Sequence, residues 1–419
     1  MSQITIVIPA AALATATTLV SIAAIPQGTA GLDWPQWGGP TRDFTLPAAA
    51  GPREWPADGP RVLWRRPLGE GYSSIALSGD TLVTMYRHGD DEIVAALDAS
   101  TGETRWEHRY AAPALEKMNF QQGPGPHATP LVHGGRVFAA GVTGRLHALD
   151  ARTGAVLWSH RLIEDLGGSV VDRGYASSPL AYGEWIVVQH GGREHAVTAL
   201  DARDGRIVWR GGSFTNVSSS PILIDVGGEA QIVALGSAEV VGLDARTGAT
   251  RWRQPHPHRF GENIPTPVWT AGDLFVTSYA DGGSRVLRLE RDGESTRVRE
   301  IWHHTRLRVY YTNVVRIGDR YYGSSGDLGP TLFTAVEAGN GDVRWQSREI
   351  GRSSIVAVGD RLILRDDEGR LLLAGVGRDG PTVLGSATLV APGPPTPPTV
   401  RGSRLYLRDR REILAVDLR

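Results

Sequence analysis

Short stretches of alternating apolar and polar residues recur along the chain, and a turn signal follows each of them. In residues 145–150, "RLHALD", the alternation is that of a half-buried β-strand. The next residues, "DARTG" at 150–154, favour a tight turn, because the Asp carboxylate can accept hydrogen bonds from the turn amides and Gly takes the positive φ that closes it. Residues 155–158, "AVLW", return as a second strand with Trp as a large packing group. The pattern therefore predicts a β-hairpin.

This hairpin pattern is repeated. Seven Trp residues are separated by 42 to 52 residues, and five of them have an acidic residue eight positions before and Gly four positions before. Two more predicted strands, joined by "GG" or "GD", lie upstream, as in 130–141 and 314–325. Each unit is therefore predicted to form four antiparallel strands over about 40–50 residues, the size of a propeller blade. The seven residues are Trp64, Trp106, Trp158, Trp209, Trp252, Trp302 and Trp345.

The number of units predicts a closed ring. Six units end at Trp residues, a seventh spans 352–386, and an eighth begins at 398 with only three strands. Residues 61–68, "RVLWRRPL", have the character of an outermost strand but follow no unit. We predict that this strand pairs beside the strand ending at Asp417 and completes blade eight, which removes an exposed sheet edge. The predicted fold is all-β: an eight-bladed β-propeller of four-stranded antiparallel blades over 61–419, closed by pairing the N-terminal strand with the C-terminal blade.

The repeat "ALDxxTGxxxW" resembles that of the PQQ-like (pyrroloquinoline quinone-like) eight-bladed propellers, the quinoprotein alcohol dehydrogenase-like family. The resemblance covers about 61–419. It implies the propeller fold. It is a much less specific indication of function, because one fold hosts unrelated activities. The family contains dehydrogenases as well as non-catalytic members of the BamB type.

The dehydrogenases of this family are expected to hold PQQ against a disulfide between adjacent cysteines, with Ca²⁺ bound by carboxylate and amide groups beside an Asp base. This chain has no cysteine, and no stretch matches the calcium and base motifs. We therefore predict no cofactor and no catalytic residue, and PQQ with calcium belongs only to an alternative hypothesis.

Charge and composition narrow the classes of partner. The formal net charge is −1 over 419 residues, which gives no basic field to attract nucleic acid. A chain without thiols suits an oxidising compartment. We expect a monomer that binds a protein partner or a cell-envelope ligand and does not bind nucleic acid.

The N-terminal residues have the character of a targeting segment. Residues 4–25 form an apolar, Ala-rich run without charge, and small residues follow at 28–31. We predict a signal peptide over 1–31, although its first residues carry no Lys or Arg. The alternative is a buried or transmembrane helix, and Pro9 makes the segment a poor span. The protein is accordingly expected to be periplasmic or secreted, with no stable membrane span after export.

A Pro- and Gly-rich segment at 32–60 precedes the repeats. It contains Trp34, Trp37 and Trp55. We expect this N-terminal arm to run across one face of the ring and to pack its Trp side chains there. The alternative is an arm that docks a partner.

The innermost strands of a propeller begin at the central channel. Small hydroxyl residues recur at these starts, as in 216–220, "NVSSS", and fit the crowded axis. The larger residues are better candidates for a polar, aromatic and partly cationic funnel that takes a small anion or a sugar-like ligand. The alternative is a solvent-filled channel without a specific ligand. The ligand candidates are Tyr72, His127, Tyr175, Asn216, Asn263, Arg308, Tyr311, Asn313 and Arg352.

The longest irregular loop inside a blade junction is 110–126. Long loops on a rigid ring often carry recognition. We expect its central residues to overhang a channel mouth, as a lid or a contact for a partner. These candidates are Met118, Asn119, Phe120 and Gln121.

Metal and hydrolase chemistry have little support in the sequence. The pairs "HPH" at 256–258 and "HH" at 303–304 lack the i, i+4 spacing of a helical zinc site, and the prolines around His256 and His258 indicate an exposed loop. No GxSxG motif is present. We predict no metal site.

The sequence therefore favours a non-catalytic role. We expect an exported PQQ-like propeller that serves as a protein-interaction platform or binds a cell-envelope ligand. The alternative is a PQQ-dependent, quinoprotein-like dehydrogenase with an atypical cofactor site.

Overall fold

The computed structural model describes residues 33–116, 118–119, 123–169, 172–327 and 329–419. The predicted signal peptide at 1–31 lies outside these ranges. Within them, no helix has the length and apolar character needed to cross a bilayer.

Over the described residues, the chain forms the eight four-stranded antiparallel blades of a propeller, and the strands of each blade run in order from the channel outward. A short parallel strand of the N-terminal arm adds a fifth strand to the sheet of blade 7. This confirms the predicted fold class. Blade 1 contains Ala76–Ser78, Thr81–His88, Asp91–Asp98 and Thr104–Ala111; blade 2 Leu131–His133, Arg136–Ala140, Arg145–Asp150 and Val156–Arg161; blade 3 Leu180–Tyr182, Trp185–Gln189, Val197–Asp201 and Ile207–Gly211; blade 4 Ile222–Val226, Glu229–Leu235, Glu239–Asp244 and Thr250–Pro255.

The remaining blades follow the same order. Blade 5 contains Val268–Thr270, Asp273–Ser278, Gly283–Asp292 and Ser295–His304; blade 6 Val315–Ile317, Arg320–Ser325, Leu332–Glu337 and Val343–Ser347; blade 7 Ser353–Val358, Arg361–Asp366, Arg370–Gly377 and Gly380–Thr388; blade 8 Thr399–Arg401, Arg404–Arg408, Glu412–Asp417 and, as its outermost strand, Arg61–Pro67.

The two ends of the repeat region meet in blade 8. The strand Arg61–Pro67 pairs antiparallel with Glu412–Asp417, and Trp64 lies opposite Ala415. The predicted closure of the ring is confirmed.

The repeated residues join each blade to the next. In blade 2, the Asp150 carboxylate accepts hydrogen bonds from the amides of Arg152 (3.1 Å) and Thr153 (2.9 Å), which forms the turn. Gly154 in this turn has a φ of +73°. The Trp106 side chain of blade 1 packs on Gly154, and its indole Nε1 donates a hydrogen bond to the Ala151 carbonyl at 3.0 Å. Asp, Gly and Trp recur together because the Trp of one blade covers the turn of the next.

The core lies between the blades. Leu146 and Ala148 of blade 2 belong to the same buried cluster as Ile186 and Val188 of blade 3. Each sheet is therefore buried on both faces by its neighbours.

The N-terminal arm crosses the axis of the ring. Trp34 is 1% exposed and pairs with Leu77 of blade 1. Thr45–Leu46 forms a short strand parallel to the innermost strand of blade 7, and a 3₁₀ turn at Ala48–Ala50 follows. Blades 1 and 7 flank blade 8, and between these two contacts the arm reaches across the channel to residues that precede the innermost strands of blades 3, 4 and 5.

Arg42 fixes the arm in the channel. Its buried guanidinium donates hydrogen bonds to the carbonyls of Ser178 (2.6 Å), Pro179 (2.8 Å) and Pro221 (2.7 Å). These carbonyls precede the innermost strands of blades 3 and 4. Burial lowers the pKa of Arg42 to about 9. The arm therefore closes one end of the channel.

Candidate functional site

The ring has two different faces. The connections that lead from the outermost strand of one blade to the innermost strand of the next all lie on one face, which we call the open face. The arm crosses the channel toward the opposite face, which we call the arm face. There Asp33 binds the amide of Gly79 in the first hairpin turn of blade 1, with N···O distances of 3.0 and 3.1 Å.

A cavity of about 180 Å³ lies on the axis between the arm and the open face. Trp37 of the arm lines it, and the Trp37 indole Nε1 donates a hydrogen bond to Thr266 Oγ1 at 2.8 Å. The other lining residues come mainly from the connections and from the starts of the innermost strands. They include four of the nine predicted ligand candidates, which are Tyr72, His127, Tyr311 and Asn313.

Tyr72 and His127 form one aromatic wall. Their rings stack with centroids 5.7 Å apart and an interplanar angle of 5°. Burial lowers the pKa of His127 to about 4, so its imidazole is neutral at physiological pH. Burial also raises the pKa of Tyr72. Both side chains are therefore neutral hydrogen-bonding groups.

Tyr310 and Tyr311 form a second aromatic wall, in the connection that leads to blade 6. Arg352 is buried behind Tyr311: its guanidinium carbon lies 4.7 Å from the ring centroid, and its Nη1 donates a hydrogen bond to the Tyr311 hydroxyl at 2.5 Å. Since blades 2 and 6 are opposite in a ring of eight, the two aromatic walls approach the cavity from opposite sides. Arg352 thus positions Tyr311 and is not itself among the lining residues.

Two of the three predicted asparagines near the starts of innermost strands bind main-chain groups. Asn313 lines the cavity, but its Nδ2 donates to the Ile355 carbonyl (2.7 Å) and its Oδ1 accepts from the Ile355 amide (2.8 Å). Asn263 is fully buried, and its Nδ2 donates to the Gly236 carbonyl at 2.7 Å. These amides join neighbouring blades.

The other three candidates also lie outside the cavity lining. Tyr175 is 2% exposed and donates a hydrogen bond to the Ser169 carbonyl at 2.7 Å. Arg308 contacts the Ala280 carbonyl, with an N···O distance of 3.4 Å. Asn216 is 6% exposed, and neither of its amide atoms has a hydrogen-bond partner among the described residues.

Two lining residues that the sequence pattern did not single out are Arg173 and Tyr310. The Glu262 carboxylate lies beside them, 3.7 Å from Arg173 Nε and 3.2 Å from the Tyr310 hydroxyl, which donates to it. All three residues lie in connections rather than in the repeat. The stretch "YYTN" at 310–313 is the local signal for Tyr310, and the sequence-based prediction names its neighbour Tyr311.

The predicted partner loop packs on the next connection. Met118 is half-buried and lies close to Gly174, and the Asn119 amide donates to the Asp172 carbonyl at 2.5 Å. Phe120 and Gln121 lie outside the described residues. Asn119 itself is exposed on the open face.

The prediction of an exposed loop at 256–258 was wrong. His256 is fully buried: its Nδ1 accepts a hydrogen bond from Arg285 Nε (2.9 Å), and its Nε2 lies 2.7 Å from Ser278 Oγ. His258 is also buried. The connection between blades 4 and 5 packs inward here, so the prolines and polar residues at 256–258 do not place these histidines at the surface. Within the described ranges, no three His, Cys, Asp or Glu side chains are grouped closely enough to hold a metal ion.

Residues 90–347, more than half of the chain, match the family model described as outer membrane protein assembly factor BamB. The chain belongs to the BamB family. The BamB of Shewanella oneidensis is 23% identical over 256 residues, which cover 58% of this chain and 62% of that protein. A solved BamB structure from Moraxella catarrhalis covers 85% of this chain and 97% of its own, with a TM-score of 0.61 and 18% identity.

Quinone-dependent enzymes are also related to this BamB-family chain. A quinohemoprotein alcohol dehydrogenase, ADH-IIG of Pseudomonas putida, is 31% identical over 179 residues, which cover 40% of this chain but only 23% of that enzyme. The chain therefore spans less than two thirds of the length of either curated relative.

The cavity residues fit PQQ poorly. This quinone carries three carboxylates, but Arg173 is the only formally charged residue among the described residues that line the cavity, and it already pairs with Glu262. The lining also lacks a carboxylate that would hold calcium beside the quinone. The absence of a cofactor stays a prediction.

Proposed function

We propose that this BamB-family chain is a non-catalytic protein-interaction platform of the cell envelope, and that its partner docks on the open face. The family match supports the type of protein. The position of Phe260 supports the face.

Phe260 is the observation that carries the proposal. It is 54% exposed, in the connection between blades 4 and 5. Its ring stacks on that of Tyr279, with centroids 5.5 Å apart and an interplanar angle of 5°, and the Arg259 guanidinium lies 4.6 Å from its centroid. Aromatic and Arg side chains are enriched in interface hot spots. Because Tyr279 already holds the Phe260 ring, little side-chain entropy is lost on binding.

The face is tested by photo-crosslinking in the cell. A photoreactive residue is placed at Asn119 or Arg193, which are exposed on the open face, or at Arg152 or Asp204, exposed in turns on the arm face. We expect the open-face positions to capture one common protein and the arm-face positions not to capture it. Capture only from the arm face, or from neither face, would contradict the proposal.

Purified partner then tests the hot spot directly. Phe260→Ala is expected to weaken binding at least tenfold, the effect of losing a hot-spot side chain. Leu384→Ala is the matched control, since Leu384 is 45% exposed on the outermost strand of blade 7, away from the open face. Equal affinities of both variants would show that Phe260 is not in the interface.

The quinoprotein alternative rests on the match to the Pseudomonas putida dehydrogenase. It is tested by titrating the protein with PQQ, with and without Ca²⁺. The 12 Trp residues report binding by fluorescence quenching. Saturable, stoichiometric quenching at micromolar PQQ would favour the alternative and justify a dehydrogenase screen.

A further inference from the structure

A row of aromatic rings runs from the open face to the cavity. We call Phe260, Tyr279, Tyr310 and Tyr311 the aromatic ridge. The Phe260 and Tyr279 centroids are 5.5 Å apart, Tyr279 and Tyr310 4.1 Å, and Tyr310 and Tyr311 5.0 Å. Phe260 is exposed, Tyr279 and Tyr310 are buried below it, and both Tyr310 and Tyr311 line the cavity. The exposed end of the ridge is therefore Phe260 on the open face, and its other end, Tyr310 and Tyr311, is reached from the cavity.

The size of the cavity limits what enters. Its volume of about 180 Å³ is below the range of roughly 300–1,000 Å³ for drug-sized ligands. It has room for one ring or one side chain. The rest of a longer ligand has to lie outside, along the ridge.

The hydrogen-bonding groups that remain available to a ligand are mainly donors. Ser178 Oγ accepts from the Thr129 amide and Ser220 Oγ accepts from the Ser178 amide, both at 2.9 Å, so each of these lining hydroxyls keeps a hydrogen to donate. Ser354 and Thr396 instead donate their hydrogens to main-chain carbonyls, at 2.8 and 3.0 Å. The Tyr311 hydroxyl accepts from Arg352, so its own hydrogen is free to donate. The Tyr72 hydroxyl donates to no described residue, so it too is available.

Charge favours a neutral ligand. Arg173 pairs with Glu262 at 3.7 Å, which offsets its charge while other guanidinium N–H groups stay available as donors. The imidazole of His127 is neutral, because burial lowers its pKa to about 4. A site with aromatic faces, donors and little net charge suits a chain of carbonyl acceptors between apolar rings.

We propose that an extended, proline-rich segment of a protein partner lies along the aromatic ridge and inserts one proline ring into the cavity. This inference rests on the proposed function and names the partner's chemistry. Proline has no N–H, and a polyproline II segment presents carbonyls without internal hydrogen bonds. Aromatic-lined grooves recognise such segments, which lose little entropy on binding. A saccharide fits less well, because each of its hydroxyls needs acceptors as well as donors.

The test uses acetyl-hexaproline-amide and a Gly-Ser hexapeptide as its control, each titrated into the full-length protein by calorimetry. We expect saturable 1:1 binding of hexaproline only. Tyr311→Ala is expected to weaken binding at least tenfold, and Tyr311→Phe several-fold, because Phe keeps the ring and removes the donor. Leu384→Ala should bind hexaproline as the unchanged protein does.

Three results would overturn the inference. Absence of hexaproline binding, while the crosslinked partner still binds, would contradict the proline-rich ligand but not the proposed interaction platform. Hexaproline binding that Tyr311→Ala and Phe260→Ala leave unchanged would place the peptide elsewhere. Binding of peptidoglycan or glycan fragments that depends on Tyr311 would replace the peptide by a saccharide. Conversely, hexaproline binding in the absence of any crosslinked partner would contradict the proposed interaction platform but not the proline-binding site.

Discussion

At the residue scale, one contact explains why three residue types recur together. The turn glycine of a blade has a positive φ and lies under the Trp of the preceding blade, as Gly102 lies under Trp64 and Gly154 under Trp106. The glycine is needed for its backbone conformation and also for the space above it. The acidic residue stabilises the same turn, because its carboxylate accepts the turn amides.

We predict that substitution can separate the two requirements for glycine, its backbone conformation and the space above it. A Cβ on Gly154 would lie 2.5 Å from the Trp106 ring, whereas Gly135, with the same φ of +73°, has nothing within 4 Å. Gly135→Ala should cost about 1 kcal/mol in free energy of unfolding, from backbone strain. Gly154→Ala should cost about 1–3 kcal/mol more, from overpacking. Urea denaturation followed by Trp fluorescence measures both, and equal losses would rule out the packing contribution.

At the element scale, the strands can be predicted from local sequence signals, whereas the contacts of the connections cannot. Alternation, a turn pair and Trp spacing suffice to predict hairpins and their number, because each signal lies within one blade. The cavity depends on residues such as Arg173 and Glu262, which lie in different connections and meet only when the ring has formed. The burial of His256 depends on Arg285 of the neighbouring strand pair in the same way. No local pattern encodes these contacts.

Packing between blades also makes the free energy of unfolding depend on pH. His147 of blade 2 is 7% exposed and lies against Tyr110 and His108 of blade 1, with centroids 4.3 and 4.8 Å apart. Burial, with the nearby charges of His108 and Arg145, lowers the pKa of His147 to about 4. The unfolded chain therefore binds this proton more readily than the folded one, so the free energy of unfolding falls as the pH drops from about 6.5 to about 4.

We predict that His147→Phe makes this pH dependence smaller. The shift of the His147 pKa corresponds to about 3 kcal/mol, which the native protein loses over that pH interval and the variant does not. Urea denaturation at pH 7, 5.5 and 4 measures the difference. His88→Phe, at an exposed position of blade 1, is the control and should follow the native protein. Parallel curves for all three proteins would show that His147 does not contribute.

At the scale of the whole molecule, the chain closes the ring and then closes its channel. Blade 8 joins Arg61–Pro67 to Glu412–Asp417, so the two ends of the repeat region meet in the blade that closes the ring. The arm before Arg61 then crosses the axis and leaves the cavity accessible from the open face. The sequence predicts the closure, because one blade lacks a strand and another strand lacks a blade. It does not predict the path of the arm, which depends on carbonyls of blades 3 and 4.

The contribution of closure to stability can be measured with engineered disulfides, since the native chain has no cysteine. Val62 pairs with Val416 across the closing strands, and Thr104 pairs with Leu97 at the equivalent position of blade 1. A disulfide at the first pair closes a loop of roughly 350 residues, and one at the second closes roughly 8, so chain entropy predicts about 3 kcal/mol more stabilisation for the first.

Comparing the oxidised and reduced forms of each double-Cys variant removes the cost of the substitutions themselves. We expect the Val62→Cys/Val416→Cys protein to gain more free energy of unfolding on oxidation than the Thr104→Cys/Leu97→Cys control. Urea denaturation of both forms gives the two gains. Equal gains would mean that the unfolded chain already keeps its ends together, and that closure by the last blade adds little to the stability of the ring.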